Sequence, residues 1–329
     1  MNVTKTSFDE LYQYIDEGAL FLEKQKDITY LDAIAEIGTH LFGDKTQKME
    51  LTDQLNQQLA AIDVDVLDRE VVRKAFQMSV LKGMKGATQP HHSMTPDAVS
   101  LFASYIINKI TGQHDKNQAI KLLDLAVGTG NLLTTILNHS PLKLEASGFE
   151  ADETLLHIAY ANANLQQHQL ELYHQDSLQM SLNKSDLVVT DLPIGYYPKD
   201  EIASTYSLKA VEGHAYIHHL MIEQGIRSLT PGGYALYLVP NFLFESDQAD
   251  QLHAFLKDET VILSLLQLPK TMFHAEQQGK SFLLLQKKGE KTIVPRHALL
   301  AELPSFDKKE ALADMMERIN DWFAQELRL

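Results

Sequence analysis

The stretch that decides the fold is Leu122-Leu123-Asp124-Leu125-Ala126-Val127-Gly128-Thr129-Gly130-Asn131-Leu132-Leu133. An apolar run stops at two glycines and then resumes. A Leu- and Val-rich run of this kind suits a central parallel strand, buried on both faces. Gly128 and Gly130 let the backbone turn sharply and come close to a ligand, and the residues after them read as the start of a helix. Strand, tight turn and helix form the cofactor corner of a doubly wound α/β fold. A dinucleotide fingerprint would place a third glycine at position 133, where this chain has Leu133.

Downstream, the pattern alternates between strand and helix. Strands are expected over 120–126, 142–149, 169–174, 186–190, 234–239, 260–268 and 281–287, with helices over 131–138, 152–167, 213–229 and 246–257 and a turn at Pro231-Gly232-Gly233. This is a βαβ series closing in a mixed sheet, mostly parallel with an antiparallel end strand. In open α/β sheets ligands lie beyond the carboxyl ends of the strands. Those ends are acidic here: Glu150, Asp176 and Asp191 follow the second, third and fourth strands. Glu150 lies twenty positions after Gly130, a separation at which a carboxylate can take both hydroxyls of a ribose. The set points to a nucleoside-containing cofactor.

Upstream, residues 8–87 are helical in period, with Phe8, Leu11, Tyr12 and Ile15 on one face and Leu31, Ile34, Ala35, Ile37 and Leu41 on the next. Further helices are expected over 50–61 and 67–84, with Gly18, Gly43-Asp44 and Gly83 to Gly86 as ends. The basic residues Arg69, Arg73, Lys74, Lys82 and Lys85 read as a solvated helix face. His91 and His92 read as loop histidines, because adjacent side chains diverge and no third ligand sits at metal spacing. No metal is expected. In Thr95-Pro96-Asp97, Thr95 can cap, Pro96 suits the first helical position and Asp97 complements the dipole of a helix reaching about Asn108. The domains implied are a helical one over 1–92 and an α/β one over 93–329 that ends in a helical tail from about 305.

The 329 residues, 44% apolar, suffice for a large core. The absence of cysteine rules out disulfides, thiolate metal sites and a cysteine nucleophile. The polar N-terminus and the lack of a long apolar run predict a cytoplasmic location. A net charge of −15 disfavours an unaided grip on a polyanion.

With the Asp-Leu-Ala-Val-Gly-Thr-Gly motif and the acidic strand ends in place, the chain resembles the class I S-adenosylmethionine-dependent methyltransferases. More narrowly it resembles the adenine-specific DNA methyltransferase-like group related to type I restriction modification subunits, and within it the small YtxK-like proteins. The resemblance spans about Gln89 to Lys288 and implies a Rossmann-like methyltransferase fold. It implies that Asp124, Ala126 and the 128–130 backbone surround the methionine moiety of S-adenosylmethionine, with Asn131 beside them. Glu150 with Ala151 would hold the ribose, Asp176 with Ser177 would sit at the adenine, and Thr95-Pro96 and Asp191 would line the same pocket.

The catalytic counterpart is Asp191-Leu192-Pro193-Ile194-Gly195-Tyr196-Tyr197, standing where the group has Asn/Asp-Pro-Pro-Tyr/Phe. An exocyclic amine is a poor nucleophile because its lone pair is delocalised into the ring. The Asp191 side chain and the Leu192 carbonyl can accept both amine hydrogens and favour a pyramidal nitrogen; positioning and charge complementarity then lower the barrier. Leu192 replaces the first proline and Ile194 the aromatic that would stack on a flipped base, leaving Tyr196 or Tyr197 to supply a ring. The expected activity is N-methyl transfer to an exocyclic amine, such as adenine in DNA or RNA, with a partner subunit supplying target recognition. A protein amide or small-molecule acceptor, or a cofactor-binding scaffold without turnover, are the alternatives.

Overall fold

The computed structural model describes residues 3–43, 51–86, 94–273, 275, 278–290 and 292–329. His91 and His92 lie outside the described residues. The elements in chain order are α1 (Val3–Lys26), α2 (Tyr30–Phe42), α3 (Asp53–Ala61), α4 (Arg69–Gly86), α5 (Asp97–Thr111), β1 (Ile120–Asp124), α6 (Asn131–His139), β2 (Leu144–Glu150), α7 (Glu153–Leu165) and β3 (Leu170–His174). They continue with β4 (Ser185–Asp191), α8 (Asp200–Ala203), α9 (Ile217–Ser228), β5 (Leu229–Pro240), α10 (Ala249–Glu259), β6 (Thr260–Gln267), β7 (Lys280–Lys287), β8 (Leu299–Glu302) and α11 (Lys309–Trp322). The strands form one eight-stranded sheet in the order β3-β2-β1-β4-β5-β7-β6-β8. β1 pairs with β4, and β4 with β5, in parallel; β7 runs antiparallel to both β5 and β6, and β8 returns parallel to β6.

Central strands are buried on both faces, as their apolar runs require: β4 and β7 are covered almost end to end. The antiparallel strand, expected at the end of the sheet, lies between β5 and β6, and the edge is β8. β8 was not foreseen because its four residues carry no contrast of pattern, alternating half-buried and exposed. Pro231-Gly232-Gly233 does not precede the fifth strand but sits inside it as a bulge: Leu229 to Tyr234 spans only Ser185 to Leu187 on the neighbouring strand. The Gln286 amide ties this bulge down by donating to the Gly232 carbonyl at 3.0 Å.

The chain forms two compact units. The first holds residues 1–100, 127–139 and 148–174. Its core joins the N-terminal helices to α7 through Tyr14, Ile15, Ile34, Ile37, Phe76 and Ile158. Thr29 caps α2 by accepting from the Asp32 amide at 3.1 Å, and Asp152 caps α7 by accepting from the Leu155 amide at 2.9 Å. Gly18, expected to end a helix, lies within α1 and faces Ile37, where a Cβ would come to 2.7 Å of the Ile37 side chain. The second unit holds residues 101–126, 140–147 and 175–329. There Phe102 of α5 packs on Phe282 and Phe306, and the Tyr105 hydroxyl donates to Asn320 Oδ1 of α11 at 2.8 Å. Among the described residues no helix is long and apolar enough to cross a membrane.

Candidate functional site

The glycine turn is built within the first unit. Gly128 and Gly130 both have positive φ, +55° and +77°, the left-handed region that glycine enters without steric cost. A Cβ on Gly130 would press on Ala159 at 3.3 Å, whereas one on Gly128 would meet nothing within 4 Å. Gly130 therefore serves the packing of the turn on α7, while Gly128 leaves its space open. The Gly128 amide donates to Glu150 Oε2 at 2.8 Å, and the Ala151 and Asp152 amides donate to Oε1 at 2.8 and 2.9 Å. Three amides thus fix the Glu150 carboxylate at the end of β2. A carboxylate has about four acceptor sites; with two on Oε1 and one on Oε2 taken by amides, Glu150 keeps a site on Oε2 that can take a ribose hydroxyl.

A buried arginine stands behind this turn. Arg73 of α4 is fully buried. Its guanidinium donates to both oxygens of Glu70 at 2.9 and 2.8 Å, pairs with Asp97 at 2.5 Å and donates to Asn131 Oδ1 at 3.1 Å. Asn131 Nδ2 in turn donates to the Thr95 carbonyl at 2.8 Å. One cation therefore ties α4, the start of α5 and the start of α6 together. Burial works to raise the Glu70 pKa, but hydrogen bonds from Arg73 and Asn138 hold it below the usual carboxylate value. The reading of residues 69–85 as a solvated basic face is thus wrong for Arg73. The missed signal was positional: Arg73 shares one helical stripe with Phe76, Gln77 and Val80, all buried. Lys82 pairs with Asp16 at 2.5 Å, while Arg69, Lys74 and Lys85 are exposed as expected.

The second unit carries the other predicted residues. Asp124, buried at the end of β1, accepts from the Ala126 amide at 3.1 Å, and the Leu125 amide donates to Thr190 Oγ1 at 3.0 Å. Asp176 accepts from the Leu178 amide at 3.1 Å and starts a short 3-10 turn containing buried Ser177. Its Oδ2 accepts from the Tyr197 hydroxyl at 2.7 Å. Burial, then the hydrogen bond to Asp176, raises the Tyr197 pKa. Tyr197 is therefore committed to Asp176 and is not the ring that could stand in for Ile194.

Asp191 ends β4 and forms an ion pair with Lys280 at the start of β7. The adjoining Leu192 is buried and donates its amide to the Leu238 carbonyl at 3.1 Å. Beyond Pro193 and Gly195 (φ +142°), Tyr196 is 59% exposed and stacks on Tyr216 at 4.8 Å between centroids, 19° between planes. The Tyr196–Tyr216 bridge, with the Tyr197 amide donating to Ala215 O and the Ile217 amide to Gly195 O, holds the loop to the start of α9. Behind Tyr216 lie buried His218 and His219, whose pKa values burial pushes down to about 3 and about 4. Sequence reasoning missed Lys280, Tyr216 and this histidine pair. Lys280 was invisible because its partner is 89 positions away; Tyr216-Ile217-His218-His219 was legible only as helix.

Comparison with known proteins divides the chain between residues 84 and 86 and not along the two compact units. Residues 86–326 match the N-6 DNA methylase family, and residues 9–84 match the YtxK N-terminal helical domain. The chain is 46% identical over 323 residues to the Bacillus subtilis protein YtxK, covering 96% of this chain and 97% of that one. A Listeria monocytogenes protein assigned to the class I S-adenosylmethionine-dependent methyltransferases superposes with a TM-score of 0.89 at 36% identity, covering 97% of this chain and 99% of its own. The methylase subunit of the Escherichia coli type I restriction enzyme EcoEI is 22% identical over 311 residues, 88% of this chain and 55% of that protein. A type I methyltransferase subunit from Streptococcus thermophilus shares the fold at 15% identity (TM-score 0.69), covering 92% of this chain and 73% of that one.

Proposed function

The chain belongs to the N-6 DNA methylase family, and we propose that it transfers a methyl group from S-adenosylmethionine to the exocyclic amine of adenine in DNA. The observation that carries this is the pairing of two local structures on one chain: a glycine turn whose amides fix Glu150, and a β4 end that presents Asp191 beside Leu192. The open space beside Gly128 and the fixed Glu150 carboxylate suit the donor. Thr95, Pro96, Asp124, Ala126, Gly128, Gly130, Asn131, Glu150, Ala151, Asp176 and Ser177 are the residues proposed to hold it.

When bound, S-adenosylmethionine supplies an electrophilic methyl on a positively charged sulfur. The chain supplies the acceptor side. The Asp191 carboxylate and the Leu192 carbonyl take the two amine hydrogens, turning the nitrogen lone pair out of conjugation with the ring. Tyr196, held flat against Tyr216, takes the stacking role that Ile194 cannot fill. Pro193 stiffens the loop between them. The methylated amine then gives up its extra proton, which passes to water.

With a net charge of −15, duplex binding and groove reading fall to a partner subunit, in keeping with the subunit status of the EcoEI relative. In a bacterium such as those of its relatives, a DNA substrate puts the protein in the cytoplasm. The test is transfer of labelled methyl to unmethylated DNA by the chain supplemented with cell extract, which supplies the partner, with nucleosides separated after digestion. Label in N6-methyladenine that disappears in Asp191→Ala is the expected result. Label confined to protein or small-molecule fractions of a cell extract would overturn the DNA assignment.

A further inference from the structure

We infer that Lys280 is a positioning residue for Asp191, neutralising its charge so that the carboxylate meets the acceptor amine and the methyl donor as an acceptor of hydrogen bonds without net charge. The inference rests on the proposal that Asp191 faces the reacting methyl. The two side chains form an ion pair from which most solvent is withdrawn, being 21% and 20% exposed. Such a pair is screened less than one on the open surface. Asp191 of β4 and Lys280 of β7 sit on the two strands that flank and pair with β5. Asp191 is level with Leu238 of β5, and Lys280 pairs with Pro240 two positions further along the same strand. The Lys280 carbonyl also accepts from the Leu268 amide at 3.0 Å. The backbone is thus fixed by ladders on both sides, and the cost of ordering the lysine stem is correspondingly reduced. The Lys280 charge reaches His218 as well, where it adds to burial in keeping that imidazole neutral.

The chemistry gives this pairing a purpose. Positive charge begins on the donor sulfur and moves to the amine nitrogen during transfer. An uncompensated carboxylate beside the sulfur attracts the donor in its ground state, and binding that is already present before the transition state does not raise the rate of transfer. A carboxylate with an ammonium beside it keeps an oxygen acceptor but loses the net charge. By this logic an amide at 191 with no cation at 280 is electrostatically equivalent to the natural pair, and each single change is not.

The charge at Asp191 can be read without knowing the acceptor, by comparing affinities for S-adenosylmethionine, which carries the sulfonium, and for S-adenosylhomocysteine, which does not. Calorimetry is done on the full chain and on Lys280→Met, Lys280→Arg, Asp191→Asn and the double variant Asp191→Asn/Lys280→Met. Lys280→Met should raise the preference for the sulfonium ligand about tenfold and Asp191→Asn should lower it about tenfold, the scale expected for one unit charge at a partly solvated site. The double variant should return to within about twofold of the natural chain, and Lys280→Arg should stay there. Thermal melts of each variant separate these shifts from loss of fold. If Asp191→Asn lowers the ratio while Lys280→Met leaves it unchanged, the role given to Lys280 is wrong and the placement of Asp191 stands. If neither moves it, Asp191 does not face the donor and both fall.

Discussion

Replacing Arg73 by methionine removes the cation that joins α4, α5 and α6, and the structure sets the size of the effect. Arg73 is fully buried, and the change deletes two hydrogen bonds to Glu70, the ion pair with Asp97 and the bond to Asn131. Breaking a buried ion pair from one side costs about 3–5 kcal/mol, because the charge left behind keeps its desolvation penalty. Here the stranded carboxylates are 26% and 34% exposed and recover part of their hydration, which brings the expectation to the lower end, about 3 kcal/mol. Urea unfolding of the two proteins measures it. Lysine at 73 keeps the charge but loses the planar fork and should fall about midway, about 1.5 kcal/mol below the natural chain. Lys74→Met, one position along on the exposed face, should stay within about 0.5 kcal/mol. Because Asn131 loses one of its two anchors beside the glycine turn, donor affinity should also drop about fivefold, the equivalent of one hydrogen bond of about 1 kcal/mol. An Arg73→Met protein as stable as Lys74→Met would refute the hub.

The two glycines of the turn should separate under the same substitution. Gly128→Ala costs about 1–2 kcal/mol for its left-handed backbone and should abolish donor binding by filling the open space, whereas Gly130→Ala adds the press on Ala159 and should unfold more readily. Equal stability losses for the two would contradict the difference in their surroundings. Tyr197→Phe removes the donor to Asp176 and should weaken S-adenosylmethionine binding about tenfold with little change in methyl transfer at saturation; an unchanged dissociation constant would sever Tyr197 from the cofactor. His218 and His219 should make the fold acid-sensitive. Both are held neutral, with folded pKa values of about 3 and about 4 against an ordinary imidazole value of 6.5. Their neutrality costs nothing above pH 6.5. As pH falls from 6.5 towards 4 the unfolded chain takes up protons that the folded chain refuses, and stability drops by about 2 kcal/mol per histidine at pH 5. His218→Leu should flatten that slope in unfolding curves recorded at pH 7 and pH 5; an unaltered slope would show the imidazole to be accessible to protons.

What could be read in the sequence was what chemistry writes locally. The glycine corner, the acidic strand ends and the strand-helix alternation depend on neighbours within a few positions, and β1, α6, β2, α7 and β4 all fall within two residues of their expected starts. Lys280 and Arg73 differ from these in kind. Each is defined by a partner far along the chain, 89 positions for Lys280 and 58 for the Arg73–Asn131 bond, and residue type alone assigns a lysine or arginine to solvent. The same holds for the join between the N-terminal helices and α7. Helical periodicity gives way near residue 87, and the two family matches meet at 84 and 86, but the first compact unit does not stop there. Ile158, Ala161 and Leu165 of α7 complete the core of α1, α2 and α4. Gly38 lies so close to Phe76 and Ala161 that a Cβ would come within 2.9 Å of either. A seam of small residues has no period of its own. Burial of Ile158 and Leu165 nevertheless requires the N-terminal helices, and Arg73 extends that dependence to Asn131 at the end of the turn. The N-terminal helices are therefore part of the support of the glycine turn.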